Sequence, residues 1–326
     1  MPIEQKITYN GNKVSKGFVF DHSVKDKLAT YKKTKRDKNM DFQKPIFEAR
    51  KAIARPFVAA HRGVSGANIP CNTLAAYQIA VNQGADVVEI DVSKSKDGKY
   101  FAFHPGMEPV FIQCGKYLCD MTAEEIRELT LRNSDSAPTH YKIPSLAEAL
   151  SLLKNKVYIN VDKFWTDVPG ITEEIRKAGV ENQVIVKTPA DEKSWDEVEQ
   201  YAPDLMYMTL AWHKDDITER LAERNIRLIG IEALFDKETD EIASDGYVRA
   251  LHEKGLLVWM NAIIYNEKEV ISAGRTDDIS LTEGASCGWG WLYSKGADFI
   301  QTDWTTELLQ FLKSGNKKRL NTRVGK

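Results

Sequence analysis

After Pro56 the chain settles into an alternation that few folds can satisfy. Short Val- and Ile-rich runs are separated by amphipathic stretches of helical period. The runs are Phe57–His61, Asp86–Val92, Val157–Asp162, Gln183–Lys187, Leu205–Leu210, Arg227–Glu232, Leu256–Asn261 and Asp298–Thr302, eight in all. Segments such as VVEIDV and VIVK lack clean in-out alternation, as strands covered on both faces of a parallel sheet do. Helical stretches lie between them at Thr73–Gln83, Gly170–Ala178, Trp195–Tyr201, Ile217–Glu223 and Glu241–Lys254. Gly84, Gly179, Gly255 and Gly296 stand where a helix closes in a left-handed residue. Eight βα units over about 260 residues predict a (β/α)₈ TIM barrel, an α/β fold. A doubly wound open sheet is the alternative. The barrel is preferred because His61, Asp91, Asp162, Lys187, Glu232, Asn261 and Asp303 stand at strand ends, which only a closed ring gathers on one face.

Two segments exceed a minimal barrel. Residues 1–55 read as an N-terminal helical arm packed on the barrel, and residues 56–326 as the barrel domain. A small insertion after the second strand spans about 105–146, and the loop 263–283 is long and polar. Residues 1–51 hold 13 Lys/Arg and 6 Asp/Glu, leaving −9 for the remainder of a chain of net charge −2. The arm's densest run, Lys25–Lys38, lacks the apolar face of a membrane-binding helix. It therefore reads as solvated, with peripheral lipid contact the lesser alternative. An acidic barrel argues against nucleic acid as a partner. No apolar run reaches the ~18 residues of a membrane span. The N-terminus has no signal-peptide core, so a cytoplasmic location is expected, although a leader removed beforehand would leave no mark. Cys71, Cys114, Cys119 and Cys287 form no CxxC pair and are expected to be free thiols.

Glu89 and Asp91 lie at i and i+2 on one strand and so face the same side. Two carboxylates among Val87, Val88, Ile90 and Val92 repel each other, and a cation is their natural compensation. Oxygen ligands favour Mg²⁺ or Ca²⁺. His61 ends the first strand and His104 ends the extended piece YFAFHP. Either alone reads as a buried structural histidine. Flanking an acidic pair, they suit general acid–base work. Arg62 is a candidate phosphate fork, or else an ion-pair partner of a site acid. Lys187 would direct a cation into the mouth.

The run HRG (61–63), then NT (72–73), then GADVVEIDVSKSKDGKYFAFH (84–104), and finally GADFIQTDW (296–304), resembles the glycerophosphodiester phosphodiesterase family. The likeness covers Phe57 to about Lys313. It implies a divalent metal on Glu89 and Asp91, with Asp162 in INVDKFW falling on the family's third ligand, usually a glutamate. It departs at Cys71, where the family has a glutamate, and at Pro105, where the family has an aspartate. The function implied is metal-dependent hydrolysis of a small-molecule glycerophosphodiester. His61 would serve as base, His104 as acid, Arg62 and Lys187 as phosphate ligands, and Asn261 and Trp259 as lining of the mouth. A lipid phosphodiesterase on the same site, of lysophospholipase D or phospholipase C type, is one alternative. A barrel that binds phosphate esters without turnover is another.

Overall fold

The computed structural model describes residues 41–264 and 270–323. In chain order the elements are α1 (Ile46–Ile53), β1 (Phe57–Ala60), α2 (Leu74–Gln83), β2 (Val87–Lys94), β3 (Tyr100–Ala102), α3 (Glu108–Phe111), α4 (Ala123–Glu128), α5 (Leu146–Leu153), β4 (Tyr158–Asp162), α6 (Val168–Ala178), β5 (Val184–Pro189), α7 (Glu192–Tyr201), β6 (Met206–Ala211), α8 (Ile217–Ala222), β7 (Leu228–Ala233), α9 (Asp245–Glu253), β8 (Leu257–Asn261), α10 (Asp277–Thr282), α11 (Trp289–Ser294), β9 (Phe299–Thr302) and α12 (Thr305–Arg323). Every expected strand is present to within two residues at either end.

Eight strands pair in parallel, in the order β1-β9-β8-β7-β6-β5-β4-β2, and β1 also pairs with β2, closing the ring. The fold is the expected TIM barrel. The ninth strand, β3, is short and antiparallel to β2. It carries the chain out to His104.

Alternate residues of each strand serve two cores. The outward set, including Val58, Val88, Ile90, Val161, Val186, Ile231 and Ile300, packs under the helices. The inward set includes Phe57, Ala59, Val87, Tyr158, Ile185, Met206, Leu257, Trp259 and Phe299, and fills the lower barrel. Ile46 of α1 joins this inner cluster, with Phe42, Phe47 and Ile53 packed against it. Two aspartates at strand roots pin the same end. Asp86 takes Arg55 and the Val58 amide, and Asp298 takes Arg50, His252 and the Val258 amide. Both come from a Gly-Ala-Asp triplet that ends a helix and starts a strand.

The helix expected over Glu241–Lys254 is in two pieces. Ser244 sits in extended backbone and its side chain caps Tyr247 N–H, so α9 starts there after a short 3₁₀ turn. Helices α5, α10, α11 and α12 lie outside the helical stretches named above. Between β3 and α5 the chain builds a core of its own around Phe103, Ile112, Leu118, Met121 and Ile126. Contacts divide the chain into Met1–Asn39 and Met40–Lys326. The first unit, with the basic run Lys25–Lys38, lies outside the described residues. All four cysteines are free thiols.

Candidate active site

Inward parity places Glu89 and Asp91 of β2, and Asn160 and Asp162 of β4, above the apolar cluster that fills the lower barrel. The register sets Glu89 beside Asn160 and Asp91 beside Asp162. One carboxylate oxygen from each of Glu89, Asp91 and Asp162 lies within 4.8 Å of the others. Burial, with Asp91 and Asp162 adding to it, pushes the Glu89 carboxyl well above its ordinary range. Burial acts on Asp162 in the same sense, but Lys163, whose Nζ is 3.0 Å away, and Lys187 hold it low. Asp91 Oδ1 is buried and accepts no hydrogen bond. Hard oxygen donors, surplus negative charge and an orphaned lone pair together fit a divalent cation.

The segment after β1 orients these acids. The Arg62 amide donates to Glu89 Oε2 at 2.6 Å, and Arg62 Nε lies 2.8 Å from Asp91 Oδ2. Asn72 Nδ2 donates to Asp91 Oδ2 at 2.8 Å and is itself held by the Tyr77 hydroxyl. Thr73 caps α2. The Asn-Thr pair thus couples a helix start to the acidic site. Gly63 has φ +79°, and a Cβ there would lie 2.7 Å from the Ala76 backbone. Only glycine lets this turn close on α2.

Both histidines line the cavity, each with Nδ1 engaged elsewhere. His61 Nδ1 meets Asp303 Oδ1 at 2.8 Å, and His104 Nδ1 meets the Pro105 carbonyl at 2.8 Å. Partial desolvation would raise the half-exposed Asp303 carboxyl, but the hydrogen bond and charge of His61, with Arg62, hold it below its ordinary value. His104 Nε2 is buried without a hydrogen bond, 4.0 Å from Asp91 Oδ1. Burial pushes the His104 imidazole below its ordinary value; Asp91 opposes this, while Arg62 and Lys163 reinforce it.

Lys187, Glu232, Asn261 and Gln301 make a polar layer at the cavity floor. Lys187 Nζ donates to Glu232 Oε2 at 2.5 Å and lies 3.2 Å from the centre of the Trp259 ring. Asn261 donates to Glu232 Oε1 and accepts from Trp259 Nε1. Lys187 therefore enters the cavity already paired. Trp259 does not reach the cavity: it stacks on Phe299 beneath Lys187, fully buried. Lys163 and Asp303 line or support the site and had been given no role from sequence. Lys163 reaches the mouth because its backbone is left-handed, with φ 60°. The TD pair at the end of the last strand was the available signal for Asp303. Burial pushes the Cys71 thiol up to about 12, despite Arg62.

The cavity measures about 240 Å³ and opens at the C-terminal ends of the strands. Leu210, Trp212, Leu234, Ile263 and Ile271 make an apolar stretch of its wall, and Trp165 lines it after β4.

A closed parallel ring with an acidic cavity at the C-terminal ends of its strands makes this chain a TIM barrel. The sequence profile of the Glycerophosphoryl diester phosphodiesterase family matches residues 61–260. The chain belongs to that family. A glycerophosphodiester phosphodiesterase of Caldanaerobacter subterraneus subsp. tengcongensis is 32% identical over 160 residues, 46% of this chain and 65% of that protein. Glycerophosphodiester phosphodiesterase 1 of Homo sapiens is 30% identical over 166 residues, 49% of this chain and 46% of that protein. The chain thus matches less than two thirds of the length of these relatives. Among solved structures, a glycerophosphoryl diester phosphodiesterase of Parabacteroides distasonis has a TM-score of 0.66 at 20% identity, covering 80% of this chain and 87% of that one. An Oleispira antarctica phosphodiesterase in complex with the product sn-glycerol-3-phosphate has a TM-score of 0.55 at 20% identity, covering 79% and 97%. These structures share the fold.

Proposed function

We propose that the chain hydrolyses a glycerophosphodiester to a glycerol phosphate and an alcohol, using a divalent cation, Mg²⁺ or Ca²⁺, held by Glu89, Asp91 and Asp162. The observation that carries this reading is the sharing of one cavity by the carboxylate triad and two histidines whose Nδ1 atoms are already tied. Family membership and the glycerol phosphate complex of the Oleispira relative support the substrate class.

When bound, the cation supplies positive charge against the phosphate oxygens. Arg62 and Lys163 stand beside the triad to hold the remaining oxygens. His104, its Nδ1 tied to the Pro105 carbonyl, accepts a proton from the attacking water at Nε2. His61 gives a proton to the leaving alcohol, and Asp303 fixes the ring that carries it. This reverses the roles expected from sequence, because His61 has the carboxylate partner and His104 only a backbone carbonyl. The Pro105 carbonyl fixes the His104 tautomer in place of a side-chain acid, so Pro105 does not by itself argue for a barrel without turnover.

Glycerophosphocholine hydrolysis by the purified chain should be abolished by EDTA and restored by Mg²⁺ or Ca²⁺. His61→Ala and His104→Ala should each lower turnover by at least ~10²-fold. Full activity in EDTA would remove the cation from the scheme, and undiminished turnover in either variant would remove that histidine.

A further inference from the structure

Asp303, the partner of His61, is bonded through its amide to a second, buried acid. Asp277 is the first residue of α10 and is 4% exposed. Its own amide donates to the Ala262 carbonyl, just after β8, at 2.6 Å. Three donors converge on its carboxylate. Trp289 Nε1 and Thr302 Oγ1 reach Oδ1 at 2.6 and 2.7 Å, and the Asp303 amide reaches Oδ2 at 2.8 Å. The Thr302 hydroxyl in turn accepts from the Trp304 amide at 2.9 Å. Both amides of the bend between β9 and α12 are therefore held by one carboxylate, one directly and one through a hydroxyl. Burial pushes the Asp277 carboxyl up to about 7 against all three hydrogen bonds, and the Asp303 charge adds to the rise.

That bend carries Asp303, whose side chain is 53% exposed and meets His61 Nδ1 at 2.8 Å. A half-exposed carboxylate is not fixed by packing, so its position depends on the backbone that bears it. β9 ends at Thr302, whose carbonyl accepts from the His61 amide at 3.1 Å. This contact sets the height of Thr302 against His61, but the next two residues leave the sheet, and their amides turn to Asp277 and Thr302 Oγ1. Resting on the phosphodiesterase reading above, in which His61 protonates the leaving alcohol, we infer that Asp277 is a positioning residue for the His61–Asp303 pair. Asp277 is not among the residues that line the cavity. It acts by fixing the turn from which Asp303 reaches the imidazole. The donors demand this residue type. With an N–H on each carboxylate oxygen, an amide of the same shape would turn its NH₂ group toward one of them and leave that donor unpaired.

A double-mutant cycle tests this, with glycerophosphocholine and the cation-loaded enzyme. Asp277→Asn should lower kcat at least ~10-fold with KM within ~2-fold, and should cost less than ~2-fold more when added to Asp303→Asn, because both act through one contact. Unchanged kcat, a loss carried by KM, or losses that multiply would overturn the assignment. Should Asp277→Asn not fold, Thr302→Val takes its place in the cycle, since it removes the hydroxyl between Asp277 and the Trp304 amide. Its loss should be at least ~3-fold and should vanish beside Asp303→Asn; no loss, or the same loss in both backgrounds, overturns the assignment. A second readout needs no turnover. In the nitrogen NMR spectrum of isotope-labelled histidine, with His61→Gln identifying the signal, Asp277→Asn should move the His61 Nδ1 resonance in the direction that Asp303→Asn moves it. An unmoved resonance overturns the positioning role. A parent enzyme that turns over no glycerophosphocholine would defeat the phosphodiesterase reading, and this resonance would still decide whether Asp277 sets the pair.

Discussion

His61 and Asp303 stand 242 positions apart in the chain and 2.8 Å apart in the fold. The hydrogen bond leaves His61 Nε2 as the nitrogen free to work in the cavity. Asp303→Asn keeps the shape but can present an N–H to the ring and favour the wrong tautomer. Turnover should fall at least ~10-fold with little change in KM, a split that steady-state kinetics would read directly. Unchanged turnover would reduce Asp303 to a surface acid. At this scale the sequence was informative wherever a residue's role depended on its own strand. Glu89 and Asp91 could be paired from their i, i+2 spacing alone. Trp259 could not be placed from parity, because Trp259 and Asn261 face the same way but stand at different heights. Two residues of strand rise, about 6.6 Å, separate a buried stacking ring from a cavity floor. Lys163 was obscured for another reason: a left-handed backbone takes it out of the strand's alternation.

Elements are held at their roots by buried charge. The Asp298 carboxylate at the root of β9 accepts from the Val258 amide of β8 and meets His252 of α9 and Arg50 of α1. The hydrogen bond to Asp298 leads in raising the His252 imidazole above its ordinary value of 6.5; burial and Arg50 oppose it, and the Asp298 charge adds to it. A group raised on folding contributes stability that is complete below its unfolded value and is lost as pH rises through the folded one. The melting temperature of the parent should therefore exceed that of His252→Gln most clearly below pH 6.5, and the gap should shrink as pH rises past it. A gap constant from pH 5.5 to 8.5 would mean that packing, not the charged pair, links α9 to β9. Strand positions were readable because buried runs are short and bounded by helix-ending glycines. The break at Ser244 was not, since Glu241–Lys254 carries one continuous helical pattern and the serine's cap competes with the backbone only locally.

For the whole molecule, the number of βα units and the crowding of polar residues at strand ends led to the ring before any pairing was known. Closure itself depends on contacts between the first and last strands, which no local pattern encodes. The apolar wall was equally hidden, since Leu210, Leu234 and Ile263 look like ordinary strand-end hydrophobics until the ring sets them opposite the acids. At the far end of the barrel, α1 places Ile46 in the inner cluster. Among the described residues no helix is long and apolar enough to cross a membrane.

The seam that closes the ring is uneven. β1 matches β9 over four residue pairs but β2 over only two, whereas β2 and β4 match over five. Joining Phe57–Ala60 to Phe299–Thr302 shuts a loop spanning nearly the whole ring, so this pairing carries the largest chain-entropy cost and forms late. His61 and Asp303 extend the two strands of that seam. A refolding chain can then recover its helices and most of its sheet while His61 still lacks its partner. In stopped-flow refolding, the return of turnover should lag the far-ultraviolet circular dichroism signal, and Asp303→Asn should leave the circular dichroism phase unchanged. Simultaneous recovery would place seam closure early, and the working histidine would then be ready as soon as the barrel is.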